Sequence, residues 1–200
     1  MHCLPGRVLL AVSAAYAAVA CRFRLATLAR AASISGMEIY ILRHGEAAEP
    51  GTHGAKTDFD RPLTAEGKAA VRRVARGLRR FGVKPELILS SPLVRARETA
   101  EIVARELGLP GAVQLAEEMC PDGSLRALVR RLRALEPQRN VVMLVGHEPY
   151  LSTLVSVLVT GRAGAGFTIK KGGVCKLVAE SLKCGRCAKL EWLIYPALLA

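Results

Sequence analysis

The sequence predicts a three-layer α/β fold: a mostly parallel sheet flanked by helices, with a C-terminal antiparallel hairpin. Three observations predict it. From Met37 onward, strand-like and helix-like runs alternate, the order that builds parallel sheets through helical crossovers. The most apolar short run, Val141-Val142-Met143-Leu144-Val145, reads as a central strand buried on both faces. The last two strand-like runs, Val174–Ala179 and Ala188–Ile194, have no helical run between them and so read as a hairpin.

Each element follows from local chemistry. Residues 38–42 are short, β-rich and followed by glycine, which suits a first strand. Residues 45–62 have no apolar periodicity and are rich in Gly, Pro, Asp and Lys. A loop of that length in a compact domain is commonly functional. Thr64 is a good N-cap, with Glu66 in the first turn, for a helix reaching Arg80, where Gly82 stops it. Val71, Val74, Ala75 and Leu78 fall on its apolar face. A strand over 86–90 runs into Ser91-Pro92. A second helix, Val94–Leu107, is stopped by Gly108 and Pro110. Val113–Leu115 is a short strand, and 124–135 a third helix. The central strand spans 140–145, and Pro149 suits the first turn of a fourth helix ending at Thr160.

Length and composition bound the answer. The 200 residues are 51% hydrophobic, enough for one well-filled core, and no repeat or low-complexity linker divides them. Lysine and arginine number 29 against 17 acidic residues, giving +12 and favouring anionic ligands. Arginines crowd two helices: Arg72, Arg73, Arg76, Arg79 and Arg80, then Arg126, Arg130, Arg131 and Arg133. They read either as a solvated face or as a docking surface for an acidic protein. Aromatics are only 4% and are not interleaved with the basic runs, so nucleic acid is not expected as a partner.

Residues 1–36 read as a separate extension preceding the domain at 37–200. They hold no acidic residue and four arginines, so the remainder keeps +8 of the +12. Residues 8–20 form a weakly apolar run too short to span a bilayer, and stable membrane insertion is not expected. The extension reads as a mis-assigned start or a disordered segment, with a signal peptide as the alternative. Met37 lies directly before the first strand, as an initiator would. The six cysteines lack the spacing of a disulfide framework, and Cys184-Gly185-Arg186-Cys187 is a lone CxxC between strands. Free thiols point to the reducing cytoplasm.

Polar groups collect at three strand ends: Arg43 and His44, then Ser90, Ser91 and Arg95, then His147. Ligands of open α/β sheets bind outside the carboxyl ends of strands. Two histidines and two arginines converging there suit a tetrahedral anion. Arginine binds two phosphate oxygens with its planar fork, and a neutral imidazole can attack phosphorus. Gly45 lets the backbone turn and brings its N–H towards the nucleophile or phosphate. Ser90-Ser91 has no G-x-S-x-G elbow around it and is not a serine nucleophile on that ground.

Four motifs now resemble one family in order and spacing: Ile41-Leu42-Arg43-His44-Gly45, Arg61-Pro62-Leu63-Thr64, Ser91-Pro92-Leu93-Val94-Arg95-Ala96 and Val145-Gly146-His147-Glu148-Pro149. The chain is identified by them as a member of the histidine phosphatase superfamily, with a phosphoglycerate mutase-like fold. It is similar to the SixA-type phosphohistidine phosphatases of that superfamily. The resemblance implies that His44 accepts the phosphoryl group, that Arg43 and Arg95 clamp it, and that His147 donates to its oxygens. It implies hydrolysis of phospho-His44 by water without a metal or cofactor, and places Arg61 near the substrate. Glu118 corresponds best to the family's general acid, with Glu117 beside it; both also read as ordinary surface carboxylates. The expected substrate is a histidine-phosphorylated signalling or phosphocarrier protein. The alternatives are a small-molecule phosphomonoesterase on the same site and a non-catalytic phosphate- or partner-binding module.

Overall fold

The computed structural model describes residues 36–199 except His53 and Pro137; the expectations for residues 1–35 lie outside the described residues. Six strands form one sheet in the order β3-β2-β4-β1-β5-β6. They are β1 (Met37–Arg43), β2 (Leu87–Ser90), β3 (Val113–Leu115), β4 (Val141–Gly146), β5 (Val174–Ala179) and β6 (Ala188–Ile194). Strands β1 to β4 pair in parallel, β5 runs antiparallel to β1, and β6 antiparallel to β5. The mixed sheet with its terminal hairpin is the one the residue pattern predicts.

Among the described residues, four helices cover the two faces: α1 (Ala65–Arg80), α2 (Val94–Leu107), α3 (Leu125–Leu135) and α4 (Tyr150–Thr160). The period-two alternation of the strands divides the core between them. Tyr40, Leu42, Met143 and Val145 pack with Val71, Val74, Ala75 and Leu78 of α1 and with α2. Ile39, Ile41, Val142 and Leu144 turn to the other face, against α3 and α4. The helices change face between α2 and α3, where the chain reverses direction across the sheet. The C-terminal ends of β1 and β4 lie side by side in the middle of the sheet, and such sheets bind ligands outside the carboxyl ends of their strands.

Caps behave as their residue types require. Thr64 Oγ1 accepts from Gly67 N at 2.9 Å and starts α1. Ser124 Oγ accepts from Ala127 N at 3.3 Å and starts α3. Gly108 closes α2 at φ 72°, a conformation that favours glycine. Strands β1 and β4 each run one residue beyond their apolar stretches, to Arg43 and Gly146. Those two residues are partners in the parallel register, so the ladder continues where hydropathy has already ended. Among the described residues no helix is long and apolar enough to cross a membrane.

Candidate active site

Register brings the two histidines together. Arg43 pairs with Gly146, so His44 and His147 leave adjacent strands at the same level. His44 N donates to Gly146 O at 3.0 Å, and the two imidazole centroids lie 5.0 Å apart. Both rings are buried, His44 at 7% exposure and His147 at 3%. Burial and the nearby Arg95 and Arg43 guanidinium groups pull His44 down to about 4, against the opposing pull of its bond to Gly45. Burial, the facing His44 and Arg95 pull His147 down to about 3. Both rings are therefore neutral near pH 7.

His44 Nδ1 lies 2.7 Å from the carbonyl oxygen of Gly45. A carbonyl only accepts, so Nδ1 carries the proton and Nε2 keeps its lone pair. That is the tautomer a nucleophile needs. The Gly45 N–H does not face a ligand: it donates to the buried Thr99 Oγ1 at 3.2 Å, and Thr99 Oγ1 in turn donates to Arg95 O at 2.7 Å. The glycine is required here by packing, because a Cβ would lie 2.6 Å from Val71 Cγ2. Its φ is not in the positive range, so the expected sharp turn at Gly45 is not what the residue supplies.

The cations arrive from separate elements. Arg43, the last residue of β1, donates from Nη1 to Ile169 O at 2.8 Å, while its buried Nε has no partner among the described residues. Arg95, in the first turn of α2 and 6% exposed, donates to Asp58 O at 2.6 Å and to Asp58 Oδ2 at 2.8 Å. It does not pair with Glu98 or Glu101 of its own helix: Glu98 takes Lys68, and Glu101 takes Arg97. Arg61 binds Asp58 Oδ1 and Ala48 O, both at 2.7 Å, and so braces the 45–62 loop. The Arg61 and Arg95 contacts hold Asp58 below the usual carboxylate range.

Further residues surround the two histidines and the arginines. The segment entering β5 wraps the end of β1: Gly172 N donates to Arg43 O at 3.1 Å, and Arg43 N donates to Gly173 O at 3.1 Å. It delivers Lys171, whose charge reaches His44 and whose Nζ pairs with Glu46 at 2.5 Å. Glu148 ties this segment to α4, its Oε1 accepting from Ile169 N at 2.6 Å and its Oε2 from Ser152 Oγ at 2.6 Å. Glu118 lies on a short 3₁₀ turn after β3, with Oε2 paired to Arg131 at 3.1 Å. The buried Tyr150 hydroxyl, near Glu118 and Cys120, has no hydrogen-bond partner among the described residues; burial pushes its pKa well up. Cys184 and Cys187 are free thiols. Among the described residues no three His, Cys, Asp or Glu side chains are grouped to hold a metal ion.

Known proteins resemble the chain in sequence and in fold. The description "Histidine phosphatase superfamily (branch 1)" matches residues 39–119. An uncharacterised protein of Picosynechococcus is 39% identical over 70% of this chain and 84% of its own length. The phosphohistidine phosphatase SixA of Escherichia coli is 34% identical over 66% of this chain and 80% of its own length. A solved structure of the protein histidine phosphatase SixA with tungstate superposes with a TM-score of 0.69 at 30% identity. It covers 82% of this chain and all of that one.

Proposed function

The chain belongs to the histidine phosphatase superfamily, in its SixA-type branch with a phosphoglycerate mutase-like fold, and on that footing we propose that it is a phosphohistidine phosphatase acting on a histidine-phosphorylated protein. His44 Nε2 attacks phosphorus, and a P–N bond forms to His44 as the P–N bond to the substrate imidazole breaks. The leaving nitrogen takes the bonding pair. Arg43, Arg95, Lys171 and His147 neutralise or bond the phosphoryl oxygens as their charge is redistributed. Water then adds to phosphorus and the bond to Nε2 breaks, returning neutral His44 and releasing phosphate.

The observation that carries the choice of substrate is the state of the carboxylates. Among the described residues, four carboxylates on the segments that carry the site are each engaged: Glu46 by Lys171, Asp58 by Arg61 and Arg95, Glu118 by Arg131, and Glu148 by Ile169 N and Ser152. A carboxylate whose oxygen is already held by a neighbouring donor is not free to turn to a leaving group. A phosphate ester needs a proton donor, because an alkoxide leaves badly. A phosphohistidine protonated on its other ring nitrogen leaves as neutral imidazole and needs none. Glu118, the candidate acid by sequence, is thus better read as a brace between the β3 loop and α3. The surroundings proposed for such a protein substrate are cytoplasmic.

The test is kinetic and chemical. Wild-type protein should turn over a phosphohistidine protein much faster than sugar or nucleotide phosphates. It should also yield an acid-labile, alkali-stable phosphoenzyme. His44→Ala should lose both turnover and label. Equal or faster turnover of a phosphomonoester would assign the site to small molecules, and phosphate binding without any turnover would assign it to a binding module.

A further inference from the structure

We propose that Ser91 is a positioning residue: its hydroxyl donates to His147 Nε2 and thereby fixes the imidazole with its proton on Nδ1, directed at the transferring oxygens. The inference rests on the reading that His147 donates to those oxygens. Ser91 is fully buried and follows the Ser90 to Val145 pair of β2 and β4. Its backbone N–H is held on Val145 O at 3.0 Å, which brings Oγ to 2.8 Å from His147 Nε2.

A neutral imidazole has one proton for two nitrogens. With the proton on Nε2, Ser91 would be the acceptor, and Nδ1 would present a bare lone pair. That nitrogen is buried and has no partner among the described residues, beside a ring 5.0 Å away whose Nε2 also offers a lone pair. Two lone pairs facing a phosphoryl group would repel its oxygens. With the proton on Nδ1, the same geometry gives one lone pair for phosphorus and one N–H for an oxygen.

The serine's own bonds point the same way. Leu93 N–H lies 3.4 Å from Oγ and occupies one of its lone pairs. Apart from His147, the hydroxyl has the weakly accepting Cys120 sulfur beside it among the described residues. The Cys120 thiol gives its own proton to Glu117 Oε2 at 3.6 Å, and its sulfur is a far weaker acceptor than an imidazole nitrogen. The Ser91 proton therefore goes to Nε2. Serine at this position is used neither as a nucleophile nor as a phosphate ligand, but to set which face of His147 is a donor.

The experiment is ¹⁵N NMR of the imidazole nitrogens in the intact enzyme, with His147 identified by its loss in His147→Gln, combined with single-turnover phosphorylation of His44. Wild type should show His147 protonated at Nδ1 with a pyridine-like Nε2. Ser91→Ala should move the proton to Nε2 or mix the two forms. It should also slow phosphorylation roughly a hundredfold, the loss expected for one misdirected donor, with little change in KM. Ser91→Thr, which keeps the hydroxyl, should restore both. A wild-type spectrum with the proton on Nε2 overturns the inference without any variant. So does a Ser91→Ala protein whose His147 stays protonated at Nδ1. A His147→Gln enzyme phosphorylated at the wild-type rate would instead overturn the phosphate contact on which the inference rests.

Discussion

At the scale of the residue, the site is set by two histidines that the fold keeps uncharged. His44 is lowered to about 4 and His147 to about 3, mainly by burial. A histidine with a pKa near 4 that keeps its proton on Nδ1 is fully deprotonated at Nε2 through the neutral range. With a phosphoryl donor whose leaving group does not titrate in this range, the rate of His44 phosphorylation should therefore stay level on acidification through pH 6.5 and fall only as about 4 is approached. A break near the ordinary histidine value, in a single-turnover pH profile, would contradict this. The same shifts act on stability. In the unfolded chain both histidines bind protons near 6.5, so below that pH the unfolded state holds more protons than the folded one. Stability is full above about 6.5, declines as pH falls, and the His44 share levels off below about 4. Urea midpoints measured across that window should show the decline, and His44→Gln should reduce its slope. The histidines and arginines were legible because each lies in a short motif at a strand end. Asp58, Thr99 and Lys171 were not, because what defines them is a partner far along the chain: Arg95, Gly45 and Glu46.

At the scale of the element, the segment that carries His44 is supported by the first turn of α1. Thr64 N donates to Glu46 O at 3.0 Å, and a Cβ on Gly67 would meet that same oxygen at 2.2 Å. The obstacle is backbone, two residues beyond His44, so it has no flexible side chain to yield. Gly67→Ala should destabilise the protein by about 1–3 kcal/mol, the usual cost of overpacking. It should also lower the phosphorylation rate, since relief comes by displacing the segment that carries His44. A urea midpoint and a rate both equal to wild type would refute the close approach. The sequence identifies α1 well, since Thr64, the apolar face and Gly82 are local signals. It does not reveal why Gly67 must lack a side chain, because the neighbour belongs to another element. The hairpin shows the same division. Its two strands are plain in the residue pattern. That β5 pairs with β1, and so lays Ile169 and Lys171 over the site, is a fact of topology alone.

At the scale of the whole molecule, the excess of positive charge has an address. Helix α3 contains no acidic residue, and Arg126, Arg130 and Arg133 share one exposed face without an ion pair among the described residues. Arg126 lies in the first turn, next to the positive end of the helix dipole, where a cation costs stability rather than adding it. The stripe is therefore not explained by the helix it decorates. Helix α3 begins at the carboxyl edge of the sheet, the edge that holds His44 and His147, and Arg131 anchors it to Glu118 of the preceding loop. A basic face bordering the site would steer an acidic phosphoprotein but would matter little to a small uncharged-ring phosphoramidate. Replacing Arg126, Arg130 and Arg133 together by Gln should lower kcat/KM for a phosphohistidine protein on the order of tenfold at low salt, and weaken its salt dependence. Turnover of free phosphohistidine should be unchanged, since none of the three is among the residues proposed to bind the phosphoryl group. Equal losses on both substrates would mean that the stripe acts through the fold. No loss on either would return these arginines to the solvated face that their exposure alone suggests.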